Sequence, residues 1–149
     1  MITISRGMPA DLDDIVRFQI DMAHESEGTA LDPQAVSRGV RTALENPSHG
    51  EYLVSRSEDG VIVGSLMMTK EWSDWNNSDY WWIQSVYVRP EFRRQGVFKA
   101  LYAEARRLAK EAGSTSLRLY VDRNNLRAQR TYANLGMAPS HYLMFEESL

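Results

Sequence analysis

Tyr80-Trp81-Trp82-Ile83-Gln84-Ser85-Val86-Tyr87-Val88-Arg89-Pro90-Glu91-Phe92-Arg93-Arg94-Gln95-Gly96-Val97-Phe98-Lys99 is the stretch on which the fold turns. Its first part, Tyr80 to Val88, is too apolar for a sheet face open to water and reads as a central strand. From Gln95 a helix is predicted: Phe98, Leu101, Tyr102, Ala105, Leu108, Ala109 and Ala112 recur at three- and four-residue steps, and Gly113 stands where it would stop. The first-turn N–H groups of a helix have no internal partner and carry the positive end of the dipole, so an anion fits at this junction. Gly96 removes the side chain that would hold a phosphate away from the backbone, and Arg93, Arg94 and Lys99 supply mobile countercharge. Each helix-terminus contact is worth only about 0.3 to 1 kcal/mol, so a pyrophosphate needs several together. A glycine at a strand-to-helix junction by itself also suits a plain turn.

Outward from this unit the periodicities continue. Leu117, Leu119 and Val121 alternate with Ser116, Arg118 and Tyr120 as in a strand, a helix runs from about Asn125 to Leu135 with Gly136 as its stop, and His141 to Glu146 reads as a last strand. Strand, helix and strand in succession favour a parallel pair with a right-handed crossover. On the other side, a short strand near Ile2 to Arg6 precedes a helix carrying Leu12, Ile15, Val16, Met22 and Ala23. A second helix opens at Asp32-Pro33 and ends before Asn46-Pro47. Tyr52 to Arg56 and Val61 to Thr69 flank the turn Glu58-Asp59-Gly60 and should be antiparallel. The expected fold is α/β (α+β), a mixed sheet flanked by helices, in the order β-α-α-β-β-β-α-β-α-β, as one domain over residues 1–149.

The net charge of −3 argues against a protein whose partner is nucleic acid. Positive charge is nevertheless concentrated at Arg89, Arg93, Arg94, Lys99, Arg106, Arg107 and Lys110, with acidic patches elsewhere. That split suits an anionic cofactor and a cationic acceptor, as well as plain solubility. No apolar run approaches the roughly 18 to 20 residues that span a bilayer, and the N-terminus lacks a secretory pattern, so a cytoplasmic protein without a membrane partner is expected. With no cysteine there is neither disulfide nor thiolate metal site.

Arg93, Gly96 and position 98, following an apolar strand and Arg89-Pro90-Glu91, resemble the cofactor turn of the GNAT superfamily of acyl-CoA-dependent N-acyltransferases. That turn reads Gln or Arg, two residues, Gly, one residue, then Gly or Ala; Phe98 departs from it. Asn125, Ala128, Tyr132 and Leu135-Gly136-Met137 are similar to the family's next motif, with Met137 in place of Phe. The match is close from about Tyr80 to Met137. The resemblance implies a centrally splayed sheet and acetyl-CoA as acyl donor, with no metal. It implies that Val86, Tyr87 and Val88 meet the pantetheine arm, that Arg93, Arg94, Gln95, Gly96, Val97, Phe98 and Lys99 hold the phosphates, and that Asn125 bonds the same arm. Val86 and Val88 also suit a core, and Asn125 an N-cap. Tyr132 is implied as the acid for the departing thiolate, since a phenol near pKa 10 can share a proton with a thiol of about 8.5; packing is its other reading.

An ammonium must lose a proton before it attacks the thioester. Several relatives place Glu at the position of Gln84, and an amide takes no proton. Glu25 and Glu27, read as lying in the connection between the first two helices, are candidates for the acceptor side, while His24 reads as helix surface. Trp72, Trp75, Trp81 and Trp82 beside Glu71, Asp74 and Asp79 suit either a core or homodimer interface or a pocket for a cation. The expected reaction is acetyl transfer from acetyl-CoA directly to a small-molecule or protein amine. The alternative is a non-catalytic acyl-CoA-binding or regulatory module of the same fold. A nucleotide-binding use of the turn lacks the Gly-Lys-Ser/Thr ending that handles a triphosphate.

Overall fold

Asp32 and Pro33 start a helix as their order predicts. The Asp32 carboxylate accepts from the Gln34 N–H at 3.0 Å and Pro33 takes the first helical position. The computed structural model describes residues 1–149. It contains β1 (Thr3–Arg6), α1 (Leu12–Glu27), α2 (Pro33–Glu45), β2 (Glu51–Arg56), β3 (Ile62–Ser73), β4 (Ser78–Val88), α3 (Val97–Glu111), β5 (Leu117–Arg118) and α4 (Leu126–Asn134). Met1–Leu119 and Tyr120–Leu149 form two compact units.

In the first unit a five-stranded sheet runs in the order β1-β2-β3-β4-β5. The first four strands are antiparallel, and β5 lies parallel to β4, as the strand-helix-strand reading requires. β4 therefore lies one place from the edge rather than at the centre. Its pairing with β3 is interrupted once: Tyr87 stands opposite Ser65 and Gln84 opposite Met67, so Ser85 and Val86 together face Leu66. Ser85 adopts a φ of 53°, and the strand bulges there.

Two cores clamp the sheet. Tyr52, Val54, Ile62 and Tyr87 pack with Ile15, Phe18, Val40 and Ala43 of α1 and α2. By strand alternation Leu53 and Ser55 point the other way, toward α3: a Cβ on Gly64 would lie 3.0 Å from Ser55 Oγ and 3.2 Å from Val97 Cγ1. Ile15, Phe18, Leu53, Leu66 and Leu101 are fully buried, each stabilising the fold by about 1.5 to 3 kcal/mol.

A single 3-10 turn at Pro9–Asp11 leads into α1, and Asp11 ties it to the sheet. Its buried carboxylate accepts from the Met8 N–H at 2.9 Å and from Arg56 Nη2 at 2.8 Å. Asp11→Ala would strand the Arg56 guanidinium, which is only 25% exposed. The expected loss is about 3 kcal/mol of unfolding free energy, read from a urea titration with unchanged slope; a loss under about 0.5 kcal/mol would show that water replaces the carboxylate.

Three expectations are corrected. α3 starts at Val97, with Gly96 as its N-cap, and not at Gln95. The strand expected through Val121 is confined to Leu117–Arg118, beside Trp81 and Trp82, because β4 enters its bulge just beyond. His141 to Glu146 forms no strand: its unit, Tyr120–Leu149, holds no other strand to pair with, and Tyr142, Leu143, Met144 and Phe145 are exposed.

Candidate active site

The turn between β4 and α3 is built from two left-handed residues. Arg94 has φ 62° and Gly96 φ 79°, and left-handed residues at the head of a helix are a backbone setting in which N–H groups can converge on an anion. The first intrahelical bond of α3 is from Ala100 N–H to Gly96 O at 3.0 Å, and the helix positions ahead of it have no intrahelical acceptor. A Cβ on Gly96 would meet nothing within 4 Å, so the space over the turn is open. Gln95 Nε2 braces the turn by donating to Glu91 O at 2.8 Å. Arg94 and Lys99 are exposed, and Phe98 directs its ring along the helix to Tyr102, with centroids 6.2 Å apart. Phe98 therefore leaves the open space over Gly96 to a ligand, and the cradle fits a diphosphate.

Beside the turn, one edge of β4 has no neighbouring strand beyond Trp82, although Val88 O there accepts from Arg93 Nε at 2.8 Å. Arg89 N–H donates to Val63 O at 2.9 Å and Tyr87 pairs with Ser65, which aims the main-chain groups of positions 87 and 89 at β3. Those of Val86 and Val88 face the opposite edge, where β5 pairs only with Trp81 and Trp82. An extended amide chain could add there as a strand does. Tyr87 differs from its two neighbours in offering no main-chain group to that edge.

Arg93 is not the mobile cation its sequence position suggested. Its Nε donates to Val88 O at 2.8 Å, its Nη2 pairs with Glu25 Oε2 at 2.7 Å, and its guanidinium lies 5.4 Å from the Tyr87 ring centre. Tyr87 Oη donates to Glu25 Oε1 at 3.0 Å. Burial first, then the hydrogen bond to Glu25 and its negative charge, push the Tyr87 phenol up to about 12. Glu25 and Glu27 belong to the last turn of α1 rather than to a connection, because the helix continues until Gly28.

Gln84 shares its face with Thr69, whose Oγ1 accepts from Gln84 Nε2 at 2.6 Å. The four tryptophans do not form one group. Trp81 is core, Trp72 and Trp75 are exposed around the β3–β4 hairpin, and Trp82 Nε1 donates to Glu71 at 2.9 Å. A cation does sit between an aromatic face and a carboxylate here, but it is the chain's own: the Arg118 guanidinium lies 3.8 Å from the Tyr80 ring centre and 3.7 Å from Glu71.

In the second unit, Asn125 caps α4, its Oδ1 accepting from Ala128 N–H at 3.0 Å. This leaves the amide nitrogen outside the cap. Tyr132 lies half-buried on α4, and burial raises its phenol above the ordinary value.

A model of the acetyltransferase (GNAT) family matches residues 15–137. The chain belongs to this family. A solved structure of a possible acetyltransferase from Clostridium difficile 630 superimposes on this acetyltransferase with a TM-score of 0.93 at 36% identity, covering 100% of this chain and 98% of that one. An uncharacterized N-acetyltransferase of Archaeoglobus fulgidus is 30% identical over 140 residues, 88% of this chain and 89% of its own length. The aminoglycoside N(6')-acetyltransferase type 1 of Serratia marcescens is 28% identical over 109 residues, 71% of this chain and 74% of that protein. This GNAT chain is an acetyl-CoA-dependent N-acetyltransferase. None of its helices is long and apolar enough to cross a membrane.

Two features of the site lay outside the sequence reading. Ser85 carries no signal, since neither glycine nor proline marks the bulge. The link from α1 to the turn had one: Asp14, Phe18, Asp21 and Glu25 recur at helical spacing on one stripe.

Proposed function

We propose that this acetyltransferase, acting in the cytoplasm as one functional domain, moves an acetyl group from acetyl-CoA directly to a primary amine of a small molecule or a protein. The observation that carries the proposal is the pair of left-handed residues Arg94 and Gly96 at the head of α3, beside the edge of β4 that has no neighbouring strand beyond Trp82. The N–H groups from Gln95 to Lys99, with the Arg94 and Lys99 side chains, would hold the diphosphate. The main chain of Val86 and the N–H of Val88 would hold pantetheine amides. In the second unit, the motif at Asn125 supports a cofactor role for its amide nitrogen.

Acetyl-CoA supplies the activated thioester carbonyl. As the neutral amine nitrogen forms the C–N bond, the C–S bond breaks and the thiolate leaves. Tyr132 Oη gives that thiolate its proton and regains one from water, a role supported by the motif it occupies and by the burial that keeps its phenol protonated. Gln84, committed through Nε2 to Thr69, orients the amine or a water and takes no proton. The ammonium gives up one proton to solvent before it attacks, and the second proton, lost from the nitrogen as the amide forms, leaves through water as well.

A panel of amines with acetyl-CoA, followed by release of free thiol, tests the proposal. Turnover with at least one primary amine, unchanged by a chelator, is expected. Binding of acetyl-CoA without turnover of any amine would favour the non-catalytic module, the reading that Gln84 supports. A metal requirement would contradict the mechanism.

A further inference from the structure

We infer that Glu25 is a positioning residue for the cofactor turn, acting through Arg93, and not a group that receives the amine. The inference rests on the acetyl-CoA reading above. α1 presents one stripe to the end of β4 and the turn beyond it. Along this stripe Asp14 pairs with Arg89 at 3.2 Å, and the Phe18 and Tyr87 ring centroids lie 5.1 Å apart. At its far end the two oxygens of Glu25 divide between Tyr87 Oη at 3.0 Å and Arg93 Nη2 at 2.7 Å. Each oxygen thus already accepts from a cofactor-side donor.

The other end of Arg93 explains what the pair holds. Nε donates to Val88 O at 2.8 Å, which closes the connection from the last residue of β4 through the 3-10 turn Pro90–Phe92. The next residue, Arg94, sits at φ 62°, a left-handed conformation that non-glycine side chains rarely adopt. Something must hold the chain on either side of that residue. Arg93, clamped between Val88 and Glu25, does so before it, and Gln95, bonded to Glu91, after it. A planar guanidinium suits this clamp, because Nε and Nη2 bond in two directions at once. With its charge offset by Glu25, Arg93 leaves the phosphates to Arg94, Lys99 and the backbone.

The test uses the full chain, with acetyl-CoA itself as the probe in calorimetric titration and a turned-over amine in steady-state kinetics. Glu25→Gln keeps an oxygen for Tyr87 but presents an uncharged group to Arg93. The pair is partly exposed, so the dissociation constant for acetyl-CoA should rise by about 3- to 10-fold, with the KM for the amine unchanged. Arg93→Gln should raise it by a similar factor, and the double variant should bind no worse than the weaker single variant. Combining Glu25→Gln with Arg94→Gln should give additive losses. Should Glu25→Gln fold poorly, Arg93→Gln reads the same contact from its other side.

A rise in the KM for the amine with acetyl-CoA binding unchanged would return Glu25 to the acceptor side and overturn the inference. Full additivity between the Glu25 and Arg93 variants would also overturn it. A parent protein that does not bind acetyl-CoA would sink the enzyme reading itself, whereas parental binding untouched by both Glu25→Gln and Arg93→Gln would sink only this inference.

Discussion

Acetyl-CoA is expected to raise the melting temperature of the parent protein and to leave that of Gly96→Glu unmoved. Ligand at a hundredfold excess over its dissociation constant stabilises the folded state by about 2.7 kcal/mol, a shift of roughly 5 to 10 °C for a chain of this size. In Gly96→Glu two effects add. The new side chain enters a left-handed position, at φ 79°, which costs about 1 to 2 kcal/mol of stability, and its carboxylate occupies the open space into which a phosphate would fit. Like charges brought together in a binding site cost several kcal/mol, so acetyl-CoA affinity should fall by about 100-fold or more. Gly113→Glu separates the two effects: Gly113 has φ 78° and open space around it, but lies past the far end of α3. It should lower the melting temperature of the free protein and retain the full shift with acetyl-CoA. Equal loss of the shift in both variants would mean that backbone strain, not the charge over the turn, destroys binding.

Tyr132→Phe is expected to lower kcat by about 10- to 10⁴-fold, with acetyl-CoA affinity and stability little changed. The substitution keeps the ring and removes the hydroxyl alone. Burial raises the phenol above its ordinary value near 10, so the proton to be donated is in place throughout the neutral range. The sign of the pH dependence follows. Activity limited by this acid is present below that value, falls as pH rises through the raised one, and loses that alkaline limb in the Phe variant. Parental activity in Tyr132→Phe, measured where chemistry limits the rate, would assign the proton transfer to water. A loss of stability with a matching loss of cofactor binding would place the hydroxyl in the packing of the fold.

Local chemistry was legible in the sequence. The cap at Asp32-Pro33, the turn at Gly60, the stop at Gly113 and the junction at Gly96 each depend on residues within a few positions of one another, and each formed where expected. What depended on partners far along the chain was not legible. Ser85 takes its positive φ because Tyr87 and Gln84 are each held by a different register with β3, and no preference of serine announces it. Arg93 read as a free cation because Glu25, its partner, lies 68 positions away. The tail from His141 to Glu146 has the apolar content of a strand, but a strand exists only where another offers its edge. Of the proposed site, the turn was visible and the clamp behind it was not.

The bulge in β4 also bears on which changes in the gene this enzyme could survive. Gln84 and Tyr87 point to the same side of the sheet although they are three positions apart, because Ser85 and Val86 count together as one step. Loss and gain of a residue are therefore not equivalent here. Losing either Ser85 or Val86 would leave one residue between Gln84 and Tyr87, and plain alternation would keep the Tyr87 phenol on the side of Glu25. Keeping both residues while straightening the strand would instead shift the register by one and turn Tyr87, with every later residue before the turn, to the other side. A codon lost at the bulge is thus a change the cofactor turn could survive, whereas a codon gained there would need a still wider bulge to keep the turn on its face.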